Sequence, residues 1–135
     1  LPFRFYAAAS IDALIHAIES CVSPRCNPYT RVFSMAAMET IIDVFQKIAA
    51  TNPEERHKYA ADMLIAANMA GIAFGNAGVG AVHALSYPLG GITTFLMERL
   101  TISSLQRYSS STTKKIPTEL SPHWKKSWLA CSTVR

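Results

Sequence analysis

From residue 63 to residue 97 the chain contains no Asp, Glu, Lys or Arg. So long an uncharged stretch belongs either in a bilayer or in the interior of a helical domain, and the residues within it decide between the two. It exceeds the roughly 20 residues that a membrane span requires, and Gly71 and Gly75 form a G-x-x-x-G pair of the kind that packs helices in lipid. Against this, Asn68, Asn76 and His83 are costly in hydrocarbon, and the glycines at 75, 78 and 80 break any single span. The stretch is also rich in alanine, hence only mildly hydrophobic. It reads as a buried helix pair in an all-α domain, with no membrane as partner.

Hydrophobic periodicity extends that reading upstream. From Ser10, an expected N-cap, Ile11, Leu14, Ile15 and Ile18 repeat at helical spacing. Ser23-Pro24-Arg25-Cys26-Asn27-Pro28 is turn chemistry, its second proline suited to a first helical position. A second helix is predicted from about Tyr29 to Ala50, with an apolar stripe through Val32, Met35, Met38, Ile42, Phe45 and Ile48. Asn52-Pro53-Glu54-Glu55 starts a third, running to about Phe74. Leu1-Pro2-Phe3 reads as the edge of a longer protein.

Composition divides the chain. Residues 1–91 carry 6 Lys and Arg against 7 Asp and Glu, whereas residues 92–135 carry 7 against 2. All six glycines precede the break, and Ser and Thr supply 15 of the 44 residues after it. With 50% apolar residues, the chain as a whole is not a disordered tail. Three cysteines without a secretory leader read as free thiols in a reducing, cytoplasmic setting.

Asp12 and His16 are four residues apart and project from one helix face, half of a metal site. A carboxylate with imidazoles suits Fe(II), Zn(II) or Mn(II), although the same pair also serves as a surface ion pair or a cap. His83 lies in the uncharged stretch, where each ring nitrogen needs a partner: a backbone carbonyl or a ligand. Gly78-Val79-Gly80 is not a dinucleotide fingerprint, since the third glycine and a preceding strand are missing. His57, among charged residues, reads as solvated; His123 has no evident partner; Cys21 and Cys26 lack the further ligands zinc requires. Nothing resembles a nucleophilic triad.

Asp12-Ala13-Leu14-Ile15-His16-Ala17-Ile18-Glu19 resembles the D-A-x-x-H-x-x-E signature of the iron-containing alcohol dehydrogenases, and Gly75 to Gly91 resembles that family's second ligand segment. Ser23-Pro24 and Asn27-Pro28-Tyr29-Thr30 are most similar to the members that interconvert 4-hydroxybutyrate and succinate semialdehyde. The resemblance, confined to residues 1–91, implies the helical C-terminal domain of such an enzyme, truncated. It implies Asp12, His16 and His83 as ligands of iron, or of zinc or manganese, with Phe74 lining the substrate pocket. Tyr87 is the implied catalytic residue, standing where many members carry a further histidine near the metal. A small alcohol or aldehyde is the implied substrate, NAD(P) is held mainly by a domain outside this chain, and the parent is a homo-oligomer. A chain without that nucleotide domain is expected to be inactive alone.

The family's fourth ligand, in an H-x-x-H-G-x-A-N segment, is expected after Gly91, where this sequence reads Ile92-Thr93-Thr94-Phe95-Leu96-Met97-Glu98. Gly91 to Leu100 can be encoded GGA ATT ACC ACA TTC CTC ATG GAG AGG CTA, followed by the AC of Thr101. Read from the third base of the first codon, this gives Asn-Tyr-His-Ile-Pro-His-Gly-Glu-Ala-Asn. Residues 92–135 are therefore expected to be an out-of-frame, irregular tail whose charge carries no function. The alternative is a small basic helical protein that binds membrane or nucleic acid through Lys114, Lys115, Lys125 and Lys126 with Trp124 and Trp128.

Overall fold

The computed structural model describes residues 1–92. They form four α-helices and no strand: α1 (Phe3–Val22), α2 (Pro28–Ala50), α3 (Ala60–Ala77) and α4 (Ala81–Ile92), with a 3-10 segment over Pro53–Tyr59 leading into α3. The all-α class agrees with the sequence. The expected irregular tail, the segment due to carry the fourth ligand, and the basic patch with His123 lie outside the described residues.

α1 starts two turns before the position expected from the sequence. Ser10 is not its cap: it is buried within the helix, and its Oγ donates back to the Tyr6 carbonyl at 2.7 Å. Ala7, Ala8 and Ala9 are the best helix formers available and carry the helix upstream as far as Pro2. The α2 start fits expectation to within a residue. The Asn27 side chain accepts from the N–H groups of Tyr29 and Thr30, Thr30 Oγ1 accepts from the Asn27 N–H at 2.9 Å, and Pro28 takes the first turn.

The apolar stripe of α2 is rotated from the one drawn on the sequence. Val32 is 66% exposed, while Ser34, Ala37, Ile41 and Val44 are buried with Met38 and Ile48. Small residues let helices approach closely, and at the crossing with α1 the hydroxyls of Ser20 and Ser34 are 2.8 Å apart and buried. Ile15 of α1 is fully buried; Leu14 and Ile18 pack at the margin of the core. Methionine plays the expected filling role at Met38 and Met63.

The single third helix expected from Pro53 is divided. Asn52 caps the 3-10 turn by accepting from the Glu54 N–H at 3.0 Å. Arg56 within it is buried, donating to the Leu1 carbonyl at 3.3 and 3.2 Å and to the Pro53 carbonyl at 2.9 Å. Those contacts tie the segment to the start of α1. α3 packs on α1 and α2 through Met63, Ala66, Ala70, Ala73 and Ala77, and leaves Leu64, Ile65 and Ile72 exposed.

Gly78 ends α3 with φ of 78°, a conformation that costs glycine little, and its N–H donates to the Phe74 carbonyl at 2.7 Å. The chain then bends by 91° into α4, so the uncharged stretch is two helices rather than one straight span. Among the described residues α1 alone is long and apolar enough by itself to cross a membrane, with 39% of that window buried inside the fold.

Candidate metal centre

The bend at Gly78 to Gly80 turns the first residues of α4 toward the middle of α1, where Asp12, His16 and Glu19 share a face. One ligand atom from each of Asp12, His16 and His83 lies within 4.8 Å of the others. Asp12 Oδ1 is 3.4 Å from His83 Nε2, and Asp12 Oδ2 is 3.7 Å from His16 Nδ1. Neighbouring ligand atoms of a tetrahedral ion with bonds of about 2.0–2.1 Å sit about 3.3 Å apart. The two Asp12 separations are close to that value.

Asp12 Oδ1 and His83 Nε2 are also buried without a hydrogen-bond partner. Buried polar atoms are nearly always paired; at 3.4 Å these two pair as ions only when His83 is protonated, and a divalent cation between them would satisfy both with the imidazole neutral. The residues present thus fit a metal ion by chemistry and by placement.

Three rings form a column beside these atoms. His16 stacks on His83 with centroids 4.1 Å apart, and Phe74 of α3 stacks on the other face of the cluster, 4.2 Å from the His16 centroid. Burial lowers the His16 pKa below the ordinary imidazole value, and the neighbouring His83 charge lowers it further, against the pull of Asp12 and Glu19. For His83 burial also opposes the charge, but the carboxylates of Asp12 and Glu19 outweigh it and raise the pKa to about 9. Tyr87 lies one turn further along α4, its ring centroid 6.1 Å from that of His83, and it is 54% exposed.

Reading the sequence for ligands passes over Glu19. Its Oε2 is 2.6 Å from His83 Nδ1, and its Oε1 accepts from the Val82 N–H at 2.7 Å. The signal was present in the spacing 12, 16, 19, which puts a second carboxylate on the face that carries the other two residues. Burial pushes the Glu19 carboxyl up, and the hydrogen bonds from His83, Gly80 and Val82 more than reverse that, leaving it below its ordinary value. His57 is exposed beside Glu54, and Cys21 and Cys26 are free thiols outside the cluster.

Residues 6–96 match the family model of the Fe-containing alcohol dehydrogenase family, C-terminal. The chain is 54% identical over 91 residues to a 4-hydroxybutyrate dehydrogenase of Clostridium kluyveri, which covers 67% of this chain and 24% of that protein. It is 42% identical over 91 residues to long-chain-alcohol dehydrogenase 1 of Geobacillus thermodenitrificans, covering 67% and 22%. The chain thus spans about a quarter of the length of these curated relatives. A solved 1,3-propanediol oxidoreductase superposes with a TM-score of 0.70 at 27% identity, covering 98% of this chain and 38% of that one. An iron-containing alcohol dehydrogenase from Thermococcus thioreducens gives 0.69 at 26% identity, covering 86% and 29%. With its helical architecture and a family match across two thirds of its length, this chain belongs to the Fe-containing alcohol dehydrogenase family.

Proposed function

We propose that this chain is the metal-holding part of a cytoplasmic alcohol dehydrogenase that moves hydride between NAD(P) and a small alcohol or aldehyde. The observation that carries the reading is the pair of buried, unpartnered atoms, Asp12 Oδ1 and His83 Nε2, beside His16. In this reading Asp12, His16 and His83 hold the cation. The donor set of one carboxylate and two imidazoles suits Fe(II), Zn(II) or Mn(II). The bound ion supplies a Lewis acid for the oxygen of the reacting alcohol or carbonyl.

The remaining roles fall to side chains around the cluster. Phe74, stacked on His16, covers the ligands on the α3 side with an apolar ring and lines the substrate site. Tyr87, exposed next to His83 on α4, is the catalytic residue in this reading, in the place where many members carry a histidine. The likeness to the Clostridium kluyveri protein supports 4-hydroxybutyrate and succinate semialdehyde as the substrate pair. NAD(P) binding is assigned mainly to parts of the parent protein outside this chain. Residues 1–91 are assigned to the helical metal-binding domain and residues 92–135 to an out-of-frame tail.

Calorimetric titration of the metal-stripped 135-residue chain with Zn(II) tests the reading. One site per chain is expected, lost in Asp12→Ala and in His83→Ala and retained in His57→Ala. A chain that binds no zinc, or whose binding ignores Asp12 and His83, overturns it.

A further inference from the structure

We infer that Glu19 is a positioning residue of the metal centre, one that holds His83 so that Nε2 alone faces the cation. The inference rests on the proposed metal reading and deepens it. His83 presents two nitrogens, and only an unprotonated one can be a ligand. Glu19 Oε2 lies 2.6 Å from Nδ1, where a carboxylate accepts the hydrogen bond of an Nδ1–H and so holds the proton on that nitrogen. Nε2 is left toward Asp12 Oδ1, the atom that shares its lack of a partner. A buried carboxylate behind a ligating imidazole fixes the tautomer and the ring orientation and makes the facing nitrogen a better donor.

The same side chain also fixes where the ring sits. Oε1 accepts from the Val82 N–H at 2.7 Å, in the first turn of α4, where the helix dipole favours a negative charge. Glu19 therefore grips the backbone immediately before His83 with one oxygen and its ring with the other. The grip crosses from α1 to α4. It also dictates the residue before α4. A Cβ at Gly80 would stand 2.8 Å from Glu19 Oε1 and 3.1 Å from its Cδ, closer than side chains approach, so any residue larger than glycine displaces the carboxylate. Both Glu19 and His83 are buried, so water cannot take over either contact.

Zinc binding to the full chain tests this, with thermal unfolding followed on the same samples. Glu19→Gln is expected to weaken Zn(II) binding roughly ten- to a hundred-fold. In the zinc-bound wild type, the nitrogen-15 spectrum of His83 should show the proton on Nδ1 and the metal on Nε2. Gly80→Ala, which leaves the carboxylate intact and pushes it aside, should weaken binding in the same direction. It carries the test should Glu19→Gln fail to fold. Zinc affinity and His83 spectrum unchanged in a folded Glu19→Gln or Gly80→Ala chain overturn the role of Glu19 while the metal reading stands. A wild type that binds no zinc removes the metal reading, and this inference with it.

Discussion

The side chains of the cluster differ in what a measurement on each would reveal. Asp12 is the residue shared by both histidines, so its removal takes the carboxylate from each of the short approaches at 3.4 and 3.7 Å. A ligand that binds only the folded chain stabilises it by about 2.7 kcal/mol at a hundred times its Kd. Zinc at that excess should therefore raise the unfolding free energy of the wild type by about that amount, and chelator should reverse the gain. In Asp12→Ala, urea unfolding with and without zinc should coincide. Cys21 gives a pH-dependent readout away from the cluster. Burial, and next the neighbouring Cys26, push its thiol pKa above the ordinary value, so the reactive thiolate is scarce near neutral pH and accumulates only as pH rises past the usual thiol range. Alkylation of Cys21, followed by mass spectrometry, should lag that of a free cysteine derivative at pH 8 and approach it at higher pH. Asp12 and His16 were legible in the sequence because four residues are one helical turn. The tie from Glu19 to His83 was not, because the glycines at 75, 78 and 80 mark a break but not the 91° angle that brings α4 back to α1.

Helices were legible where capping chemistry is local and obscure where packing decides. Asn27-Pro28 announced α2, and Asn27 then satisfies two N–H groups that would otherwise lack partners. Asn27→Ala should cost about 1 kcal/mol in urea unfolding, with no loss of zinc affinity. The rotation of the α2 stripe shows the other case. Periodicity drawn through the largest apolar side chains selected Val32, whereas the buried line runs through Ser34, Ala37 and Ile41, because α1 and α3 press on the small residues. Ile41 is fully buried and Val32 is 66% exposed. Ile41→Ala should accordingly cost about 2–5 kcal/mol through lost burial and the cavity left behind. Val32→Ala should stay within about 0.5 kcal/mol. Equal costs at the two positions would mean that α2 packs on the face the sequence pattern proposed. The early start of α1 is the same lesson in reverse: three alanines extended a helix past the serine that looked like its cap.

The described helices leave apolar surface uncovered. Leu64, Ile65 and Ile72 of α3 and Leu85 of α4 are exposed, although a helix as apolar as α3 ordinarily has its whole surface covered. The Fe-containing alcohol dehydrogenase relatives are about four times as long as the matched segment. The family match runs to residue 96, close behind the point where glycine disappears and basic residues accumulate. On the out-of-frame reading proposed for residues 92–135, a base lost in the codon for Gly91 would account for the compositional break and for the missing histidine segment together. Third bases are mostly free in such a back-translation, but the other two bases of most codons are fixed by the residues present. A run of ten residues ending His-Gly-Glu-Ala-Asn is therefore a strong constraint to meet by accident. Sequencing the gene through the codons for Gly91 and Ile92 should show that one added base keeps Gly91 and opens a long frame beginning Asn-Tyr-His. The chain continued in that frame should bind Zn(II) more tightly than the 135-residue chain, because a further histidine joins Asp12, His16 and His83. A gene whose present frame is uninterrupted, with codons that do not yield the histidine segment when shifted, would make residues 92–135 a genuine tail and reopen the basic patch at Lys114 to Trp128 as a binding surface.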